Sequence, residues 1–516
     1  MRRIRMGDVL AMGVLTVVLA GGDLAHGAQP PGKIGGTLKI ASPIDVDTPD
    51  LHKTGTVLTG SMLGMTAFDR LVEWNEKLEI VPALAEAWQA SRDGLQWTFT
   101  LRRGVKFHDG TPFTAEAVKA NFERTEKDKL RARTRVFGDV KAVEAVDAHT
   151  VRFVMERPKG LHVMLENLAS YNGAILSPAA LQQGKVTVGT GPFKYVEHRP
   201  GERLVLEANK DYWGGRPPLD GIVWHTVPDA ATRVRMLETG EVDAATGIPF
   251  QDVARLQRRT DLAVQAPRMV VFYVLPMNTQ RGPLKDARVR QALNHAVDKE
   301  QINKTVLFGL GRPLDSAVSS AQRPYYKPVG GYPYNPERAK QLLREAGYGG
   351  GLKLKFRVPA KRYAGAEQIA EAVQGYLAAV GVQTELEILE WATFESVTAR
   401  PLDRNDTDLY FYWWGGADPD LTLYFILHSD RWPPRGANRG FYKKPRVDEL
   451  LARGRAEADV ARRVQTYGEV QELVVKDAPW IFLTEVTVGT GWRPYVKGIV
   501  ALPTTTLDVR GAWLDR

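Results

Sequence analysis

The chain has no cysteine among its 516 residues. This absence excludes disulfide bonds, thiolate metal sites and a cysteine nucleophile. It also excludes the lipid anchor of bacterial lipoproteins, because that anchor is attached to a cysteine at the signal cleavage site. We therefore expect an exported form of this protein to be free of lipid and to be retained in a compartment such as the periplasm.

Motifs of several enzyme classes are also absent. The sequence contains no HExxH zinc motif, no G-x-S-x-G nucleophile elbow and no G-x-x-x-x-G-K-[ST] phosphate loop. Gly309-Leu310-Gly311 lacks the remaining glycine of a dinucleotide-binding fingerprint. The sequence thus predicts a protein without catalytic residues, metal or cofactor. A hydrolase with paired carboxylates remains an alternative, because the spacing of such a pair is spatial.

Positive charge is in modest excess, with a formal net charge of +9. The basic residues are scattered, apart from a cluster between Lys127 and Arg135. A nucleic-acid surface would interleave such a cluster with exposed aromatic residues. We interpret the cluster as a solvated segment and expect no nucleic-acid partner; a weak attraction to anionic lipid is the alternative.

The N-terminus reads as a secretory signal peptide over residues 1–28. Three arginines precede an apolar run, Val9–Ala20, of about a dozen residues, and Ala25-His26-Gly27-Ala28 supplies small residues for cleavage. A bilayer span needs about 20 apolar residues, so the run suits a signal peptide better than the alternative of a membrane anchor. We expect a periplasmic protein with this segment removed.

The remaining chain alternates strand and helix patterns. Trp97, Phe99 and Leu101 alternate with polar residues, which predicts a half-buried strand. Thr114 is placed to cap a helix that follows it. Asn335 and Pro336 predict a second capped helix, which opens a helix–strand–helix–strand order up to residue 390. This order predicts an α/β fold with a mixed sheet.

Several segments resemble one known family. The stretch Leu71–Arg124, with its "VPALAEAW" and "HDGTPFTAEAV" pieces, closely resembles the signature of the solute-binding proteins of peptide- and nickel-type ABC importers, family 5. Further similar pieces follow in the family's order: Gly35–Ile40, Gly189–Phe193, Asn209–Trp213, Leu237–Asp243, Met277–Thr279, Asp286–Ala292 and Tyr334–Ala339. The resemblance covers nearly all of the chain after the signal peptide.

The resemblance implies an α/β, bilobal periplasmic-binding-protein fold (type II) with two mixed-sheet lobes, a two-strand hinge and an extra domain. Lobe I is expected in three parts, with the extra domain II and lobe II as insertions. The expected ranges are 29–60, 190–265 and 491–516 for lobe I, 61–189 for domain II and 266–490 for lobe II. Closure of the hinge would enclose a ligand between the lobes.

An aromatic segment, Tyr410–Asp420, is the first candidate for the ligand site. It runs YFYWWGGADPD, so aromatic residues lead into a Gly-Gly loop. We expect Tyr412 and Trp414 to form apolar walls, and Gly415 and Asp418 to offer polar groups. The alternative is that the aromatic residues are core and that Asp418 only starts a turn.

Other candidates come from loops elsewhere. In peptide-binding relatives a basic residue in the loop of Lys361 and Arg362 receives the ligand carboxylate, and a guanidinium suits that role. Trp391 is a possible aromatic wall and Ser42 a possible hydroxyl donor. The alternatives are a solvated arginine, a core tryptophan and an ordinary turn serine.

The same resemblance does not define the ligand. Peptide-binding members place an aspartate, which pairs with the ligand amino group, where this chain has Gly415 or Gly416. Nickel-type members carry a histidine where this chain has Asp420. We therefore expect a monomeric binding protein for a small peptide or a similar amphipathic metabolite, which it delivers to an ABC permease and ATPase complex. An exported hydrolase on the same fold and a ligand sensor or chaperone docking on a membrane receptor are the alternatives.

Overall fold

A computed structural model describes residues 34–516 except 131, 133–135, 158–159, 458 and 505. The predicted signal peptide therefore lies outside the described residues. Within the described part, none of the helices combines the length and the apolar character that a bilayer crossing requires.

The first sheet has seven strands and is assembled from distant parts of the chain. Its central strand, Thr37–Ser42, pairs in parallel with Gly221–Thr226 and Ala244–Ile248, and its other pairings are antiparallel. Two helices, Ala230–Thr239 and Phe250–Gln257, belong to this lobe. In spatial order the strands are Ala263–Gln265, Gly489–Trp492, Ala244–Ile248, Thr37–Ser42, Gly221–Thr226, Arg203–Ala208 and Phe193–Arg199.

A second sheet has four antiparallel strands. In the chain it lies between Thr37–Ser42 and Phe193–Arg199, two strands of the seven-stranded sheet. The predicted alternation is confirmed, because Trp97, Phe99 and Leu101 are buried against Phe153 and its neighbours. The helix after Thr114 is confirmed, although the Thr114 side chain makes no capping bond. The strands are Ala85–Ala90, Gln96–Leu101, Thr150–Met155 and Val140–Asp147, with helices Ala115–Lys127, Leu161–Ala169 and Pro178–Gln182 and a nearby hairpin Val72–Trp74 with Ile80–Pro82.

The C-terminal half contains two further sheets of three or more strands. One is antiparallel and four-stranded, in the order Arg312–Pro313, Trp480–Thr487, Arg268–Pro276 and Tyr412–Gly415. The other is parallel and three-stranded, in the order Val382–Leu389, Leu352–Pro359 and Leu409–Tyr410. Their main helices are Ala287–Ala296, Lys299–Thr305, Pro336–Glu345, Ala366–Ala378, Trp391–Thr398, Pro445–Ala456 and Val460–Asp477.

The predicted start of the helix Pro336–Glu345 is confirmed in detail. The Asn335 side chain accepts a hydrogen bond from the backbone N–H of Arg338 at 2.9 Å, and Pro336 occupies the first turn, where it costs no hydrogen bond. Leu342 and Leu343 are buried in the core that also holds Ile369 and Val373 of the next helix.

The chain crosses between the seven-stranded and the four-stranded C-terminal sheets at two neighbouring places. One crossing joins Gln265 to Arg268, and the other joins Thr487 to Gly489. The two segments run antiparallel, because Gln265 pairs with Thr490 and Arg268 with Thr487. The architecture thus has two mixed α/β lobes, a two-strand hinge and one additional sheet of four strands, as the family resemblance implies.

Candidate functional site

A cavity of about 1970 Å³ lies where the three parts of the molecule face one another. Ile44 and Gly247 line it from the lobe of the seven-stranded sheet, while Trp74 and Glu166 line it from the segment 61–189. The C-terminal half provides its aromatic wall. A cavity bounded by both lobes and by a third unit is suited to enclosing a small ligand.

The three-stranded parallel sheet brings the predicted site segments together. Its strands end at Pro359, Leu389 and Tyr410, and the carboxyl ends of parallel strands lie at the same edge. The loop of Lys361 and Arg362 follows the first strand, Trp391 begins a helix after the second, and Tyr412 follows the third. All of these side chains line the cavity.

Arg362 and Trp391 form a cation–aromatic pair at the cavity wall. The guanidinium carbon of Arg362 lies 4.5 Å from the centre of the Trp391 ring, and the Trp391 ring stacks on Phe394 at 5.8 Å. Arg362 is exposed, and no carboxylate among the described residues forms an ion pair with it. The tryptophan therefore holds the guanidinium in place and leaves its N–H donors available.

The backbone of Lys361 gives this loop its shape. Lys361 has a φ of 51°, and its backbone N–H donates to Oε1 of Glu367 at 2.7 Å. The Lys361 side chain is exposed and lines the cavity. This bond ties the loop to the first turn of the helix Ala366–Ala378 and limits where Arg362 can point.

The aromatic segment divides between core and cavity. Tyr410 and Phe411 are buried, while Trp413 and Trp414 are half-buried and line the cavity together with Tyr412. The Tyr412 and Trp414 rings stack at 5.5 Å with an interplanar angle of 10°. A stacked pair of this kind is a rigid apolar wall for a ligand.

Residues that follow Trp414 in the chain hold its indole in place. Its Nε1 donates to the carbonyl oxygen of Leu421 at 3.1 Å, and its ring also packs on Phe425 at 6.4 Å. Trp413 points to the other face of its strand and meets the Tyr363 ring at 5.5 Å, edge to face. Burial raises the pKa of Tyr363, so its phenol stays neutral.

Gly415 lies in the cavity wall because of its backbone. It pairs with Val271 at the end of the strand and has a φ of 150°. A Cβ at this position would lie 2.2 Å from the carbonyl oxygen of Val270. The close approach of the two strands therefore requires a glycine here.

Asp418 lines the cavity, but its carboxylate is engaged by the protein. Both oxygens accept from the guanidinium of Arg463, and Oδ1 also accepts from the backbone N–H of Asp420 at 2.7 Å. Asp418 is 4% exposed and Arg463 is fully buried. This arrangement corresponds to the structural alternative considered for Asp418.

Ser42 lies away from the cavity wall. It is 1% exposed, and its hydroxyl donates to the carbonyl oxygen of Ile44 at 3.0 Å. The hydroxyl thus fixes the turn after the strand Thr37–Ser42, as the turn-serine alternative describes. Tyr171 lines the cavity, whereas Asn172 is buried and donates to the Leu51 and Thr54 carbonyls.

Several cavity residues carry no signal in the sequence. Arg439 forms a two-bond ion pair with Glu395 at 2.7 and 2.8 Å, and its guanidinium lies 5.5 Å from the Tyr412 ring centre. Glu166 accepts from the indole Nε1 of Trp74 at 3.1 Å. These contacts join residues that are far apart in the chain, so local patterns do not reveal them.

Among the residues that the structure describes, no group of three or more histidine, aspartate and glutamate side chains is arranged to hold an ion. His108, in the sequence His108-Asp109-Gly110, has a structural role, since its Nε2 lies 2.9 Å from the Gly191 carbonyl oxygen.

Comparison with known proteins gives one consistent result. The model of the bacterial extracellular solute-binding proteins, family 5 (middle), matches residues 79–433. The glutathione-binding protein GsiB of Pectobacterium atrosepticum is 30% identical over 491 residues, which cover 93% of each chain.

Solved structures agree in fold. The periplasmic binding protein DppA from Helicobacter pylori, in complex with the peptide STSA, is 28% identical with a TM-score of 0.79, over 94% of this chain and 99% of that one. A dipeptide-binding protein from Pseudoalteromonas sp. SM9913, in complex with Met-Leu, is 25% identical with a TM-score of 0.80, over 93% and 100%.

These likenesses confirm the bilobal periplasmic-binding-protein fold and the resemblance that the sequence motifs carry. The match over most of the chain, together with a cavity between two hinged lobes, shows that this chain belongs to the bacterial extracellular solute-binding proteins of family 5, the substrate-binding proteins of ABC importers.

Proposed function

We propose that this protein captures a small peptide, or a similar amphipathic metabolite with a carboxylate group, in the cavity between its lobes. It then delivers the ligand, chemically unchanged, to an ABC permease and ATPase complex at the inner membrane. The predicted signal peptide at residues 1–28 and the lack of cysteine support a lipid-free protein in the periplasm, and we propose that it acts there as a monomer.

The observation that carries this proposal is the Arg362–Trp391 pair. Most other arginines of the cavity are satisfied by the protein, for example Arg439 by Glu395, Arg455 by Asp139, and Arg233 by backbone carbonyls. Arg435 also lines the cavity and forms no ion pair with the described residues, but none of their aromatic rings lies beneath its guanidinium. Arg362 lines the cavity, is fixed by an aromatic ring and has no carboxylate partner among the described residues. A planar guanidinium of this kind suits a ligand carboxylate, which it can bind through two parallel N–H···O bonds.

The aromatic wall supports the apolar part of the ligand. The Tyr412–Trp414 stack offers a flat surface that accepts different side chains by packing alone. The named relatives bind glutathione or short peptides, and each of these ligands has at least one carboxylate. Because the relatives are named as binding proteins, capture is favoured over the hydrolase alternative.

Closure would follow from binding to both lobes. A ligand that contacts the cavity walls of both lobes stabilises the closed arrangement by the difference between its affinities for the closed and open forms. The hinge segments at 265–268 and 487–489 are short, so they can transmit this change as a rotation of whole lobes.

The test is a binding screen on protein purified from exporting cells and freed of ligand by unfolding and refolding. Glutathione and pools of di-, tri- and tetrapeptides are titrated by calorimetry, with C-terminally amidated peptides as the control. We expect binding that amidation weakens, a smaller radius of gyration with ligand, and recovery of the peptide intact by mass spectrometry. Failure of every peptide to bind, or recovery of cleaved peptide, would contradict the proposal.

A further inference from the structure

The carboxylates that line the cavity differ in how the protein satisfies them. Glu395 has Arg439 as its partner, Asp418 has Arg463, and Asp139 has Arg455 at 3.4 Å. Glu166 also lines the cavity, on the helix Leu161–Ala169. Among the described residues no lysine or arginine forms an ion pair with it.

Glu166 is nevertheless held in position. Its Oε2 accepts from the indole Nε1 of Trp74 at 3.1 Å, and Trp74 lines the same cavity. The charges of Asp418 and Arg463 act on Glu166, and Glu166 in turn acts on the Tyr325 phenol. One carboxylate oxygen is thus oriented by the protein, and the other has no protein donor among the described residues.

The surroundings of Glu166 favour a cation. Burial raises the pKa of Glu166 to about 8 and the charge of Asp418 adds to this effect, while the bond from Trp74 and the charge of Arg463 oppose it. The raised pKa favours the protonated form of Glu166 in the ligand-free protein. A bound cation would stabilise the carboxylate and release that proton.

We infer that Glu166 receives the terminal ammonium group of the ligand and so selects ligands with a free amino group. The inference rests on the proposed peptide function and adds a second anchoring charge to Arg362. At Gly415 and Gly416 this chain has no carboxylate that could receive a ligand amino group. Glu166 would replace it, because it brings a carboxylate from a different element to the neighbourhood of Asp418. The preferred ligand is then a zwitterion, with its carboxylate on Arg362 and its ammonium on Glu166.

The test compares tripeptides that have a free N-terminus with the same tripeptides after N-acetylation. Calorimetry at pH 7 in two buffers of different ionisation enthalpy reports both affinity and proton exchange. We expect the free peptides to bind the wild-type protein on the order of 10- to 100-fold more tightly, the range for a charge-assisted hydrogen bond. Their binding should release protons, and that of the acetylated peptides should release none.

Variants then assign the effect to one side chain. Glu166→Gln keeps an acceptor for Trp74 but lacks the charge, so it should reduce the free-to-acetylated ratio to about one and abolish proton release. Glu371→Gln, on an exposed face of the helix Ala366–Ala378 outside the cavity, is the matched control. It should keep the preference for free peptides and the proton release.

Three outcomes would overturn the inference. If wild-type protein binds free and acetylated peptides equally, the proposed function stands and the inference alone fails. If Glu166→Gln weakens both forms by the same factor, Glu166 has only a structural role. If neither form binds, the peptide function fails and the inference fails with it.

Discussion

Asp418 and Arg463 form a two-bond ion pair in the interior of the C-terminal lobe. The Nη1–Oδ2 distance is 2.5 Å and the Nη2–Oδ1 distance is 2.7 Å. Arg463 also donates to the Tyr325 hydroxyl and the Gly454 carbonyl, so the guanidinium joins the turn at Asp418 to the helices 445–456 and 460–477. The aspartate of the Gly-Gly-Ala-Asp turn is therefore a structural anchor at the cavity edge.

Removing the charge of Asp418 should destabilise the protein. Asp418→Asn leaves the buried guanidinium of Arg463 without its counter-charge, and such a loss costs about 3–5 kcal/mol of unfolding free energy. Urea unfolding followed by tryptophan fluorescence measures this change. Asp403→Asn is the control, since Asp403 is exposed and pairs only loosely with Arg404 at 3.7 Å. Equal stabilities of the two variants would show that the buried pair contributes little.

Loss of the Arg362 guanidinium should weaken ligands that carry a carboxylate. We expect Arg362→Ala to reduce the binding free energy by about 1.5–3 kcal/mol, the scale of a charged hydrogen bond. Calorimetry with a peptide identified in the binding screen measures the effect. The control is Arg400→Ala, because Arg400 is exposed and lies outside the cavity wall. An unchanged affinity in Arg362→Ala would remove Arg362 from the ligand site.

Two glycines should respond in opposite directions to alanine. Gly415→Ala places a Cβ 2.2 Å from the Val270 carbonyl oxygen, so it should lower the melting temperature and loosen the strand Tyr412–Gly415. Gly375→Ala fills open space in the helix Ala366–Ala378 and should stabilise it by about 0.5–1 kcal/mol. Thermal unfolding of both variants measures the direction of each change in melting temperature. A Gly415→Ala protein as stable as wild type would contradict the close approach of the two strands.

The ionisation of Glu166 should make the empty protein less stable as the pH rises. Its pKa is raised from 4.5 to about 8 in the folded protein, chiefly by burial, so the folded state binds more protons than the unfolded state in that window. The Glu166 contribution to the unfolding free energy therefore falls between about pH 4.5 and pH 8. Glu166→Gln does not titrate there.

Chemical unfolding at a series of pH values measures this contribution. The stability of Glu166→Gln relative to wild type should increase from pH 5 to pH 8.5, whereas that of Glu371→Gln should stay constant. A constant difference between Glu166→Gln and wild type over the whole range would show that the pKa of Glu166 is not raised.

Individual helices and strands could be predicted because their determinants are local or repeat at fixed spacing, whereas the bilobal arrangement is implied by the family resemblance. The alternation of Trp97, Phe99 and Leu101 reflects one buried face of a strand, and the Asn335–Pro336 cap depends on neighbouring residues only. The Thr114 prediction shows the limit of such reasoning. The residue occupies the capping position, but the orientation of its hydroxyl depends on three-dimensional packing.

The site could be predicted only in part. Arg362, Trp391 and Trp414 follow the ends of strands, and parallel pairing brings such positions together, so their location in the cavity could be anticipated. Glu166 is different, because an acidic residue within a helix has the same appearance in a sequence whether it faces solvent or a cavity. Similarly, Asp418 and Arg463 are 45 residues apart, and nothing local identifies them as partners.

The two crossings between the lobes limit how the molecule can move. They lie side by side, with Gln265 opposite Thr490 and Arg268 opposite Thr487. Pro267 lies within the first crossing, where its ring fixes the backbone angle φ. Parallel displacement of one lobe along the other would break the pairing on both sides, whereas a swing about the line through the two crossings preserves it. The pairing of the two crossings therefore favours a swing of the lobes over a slide, and this restriction lowers the conformational entropy lost when a guest molecule fixes them.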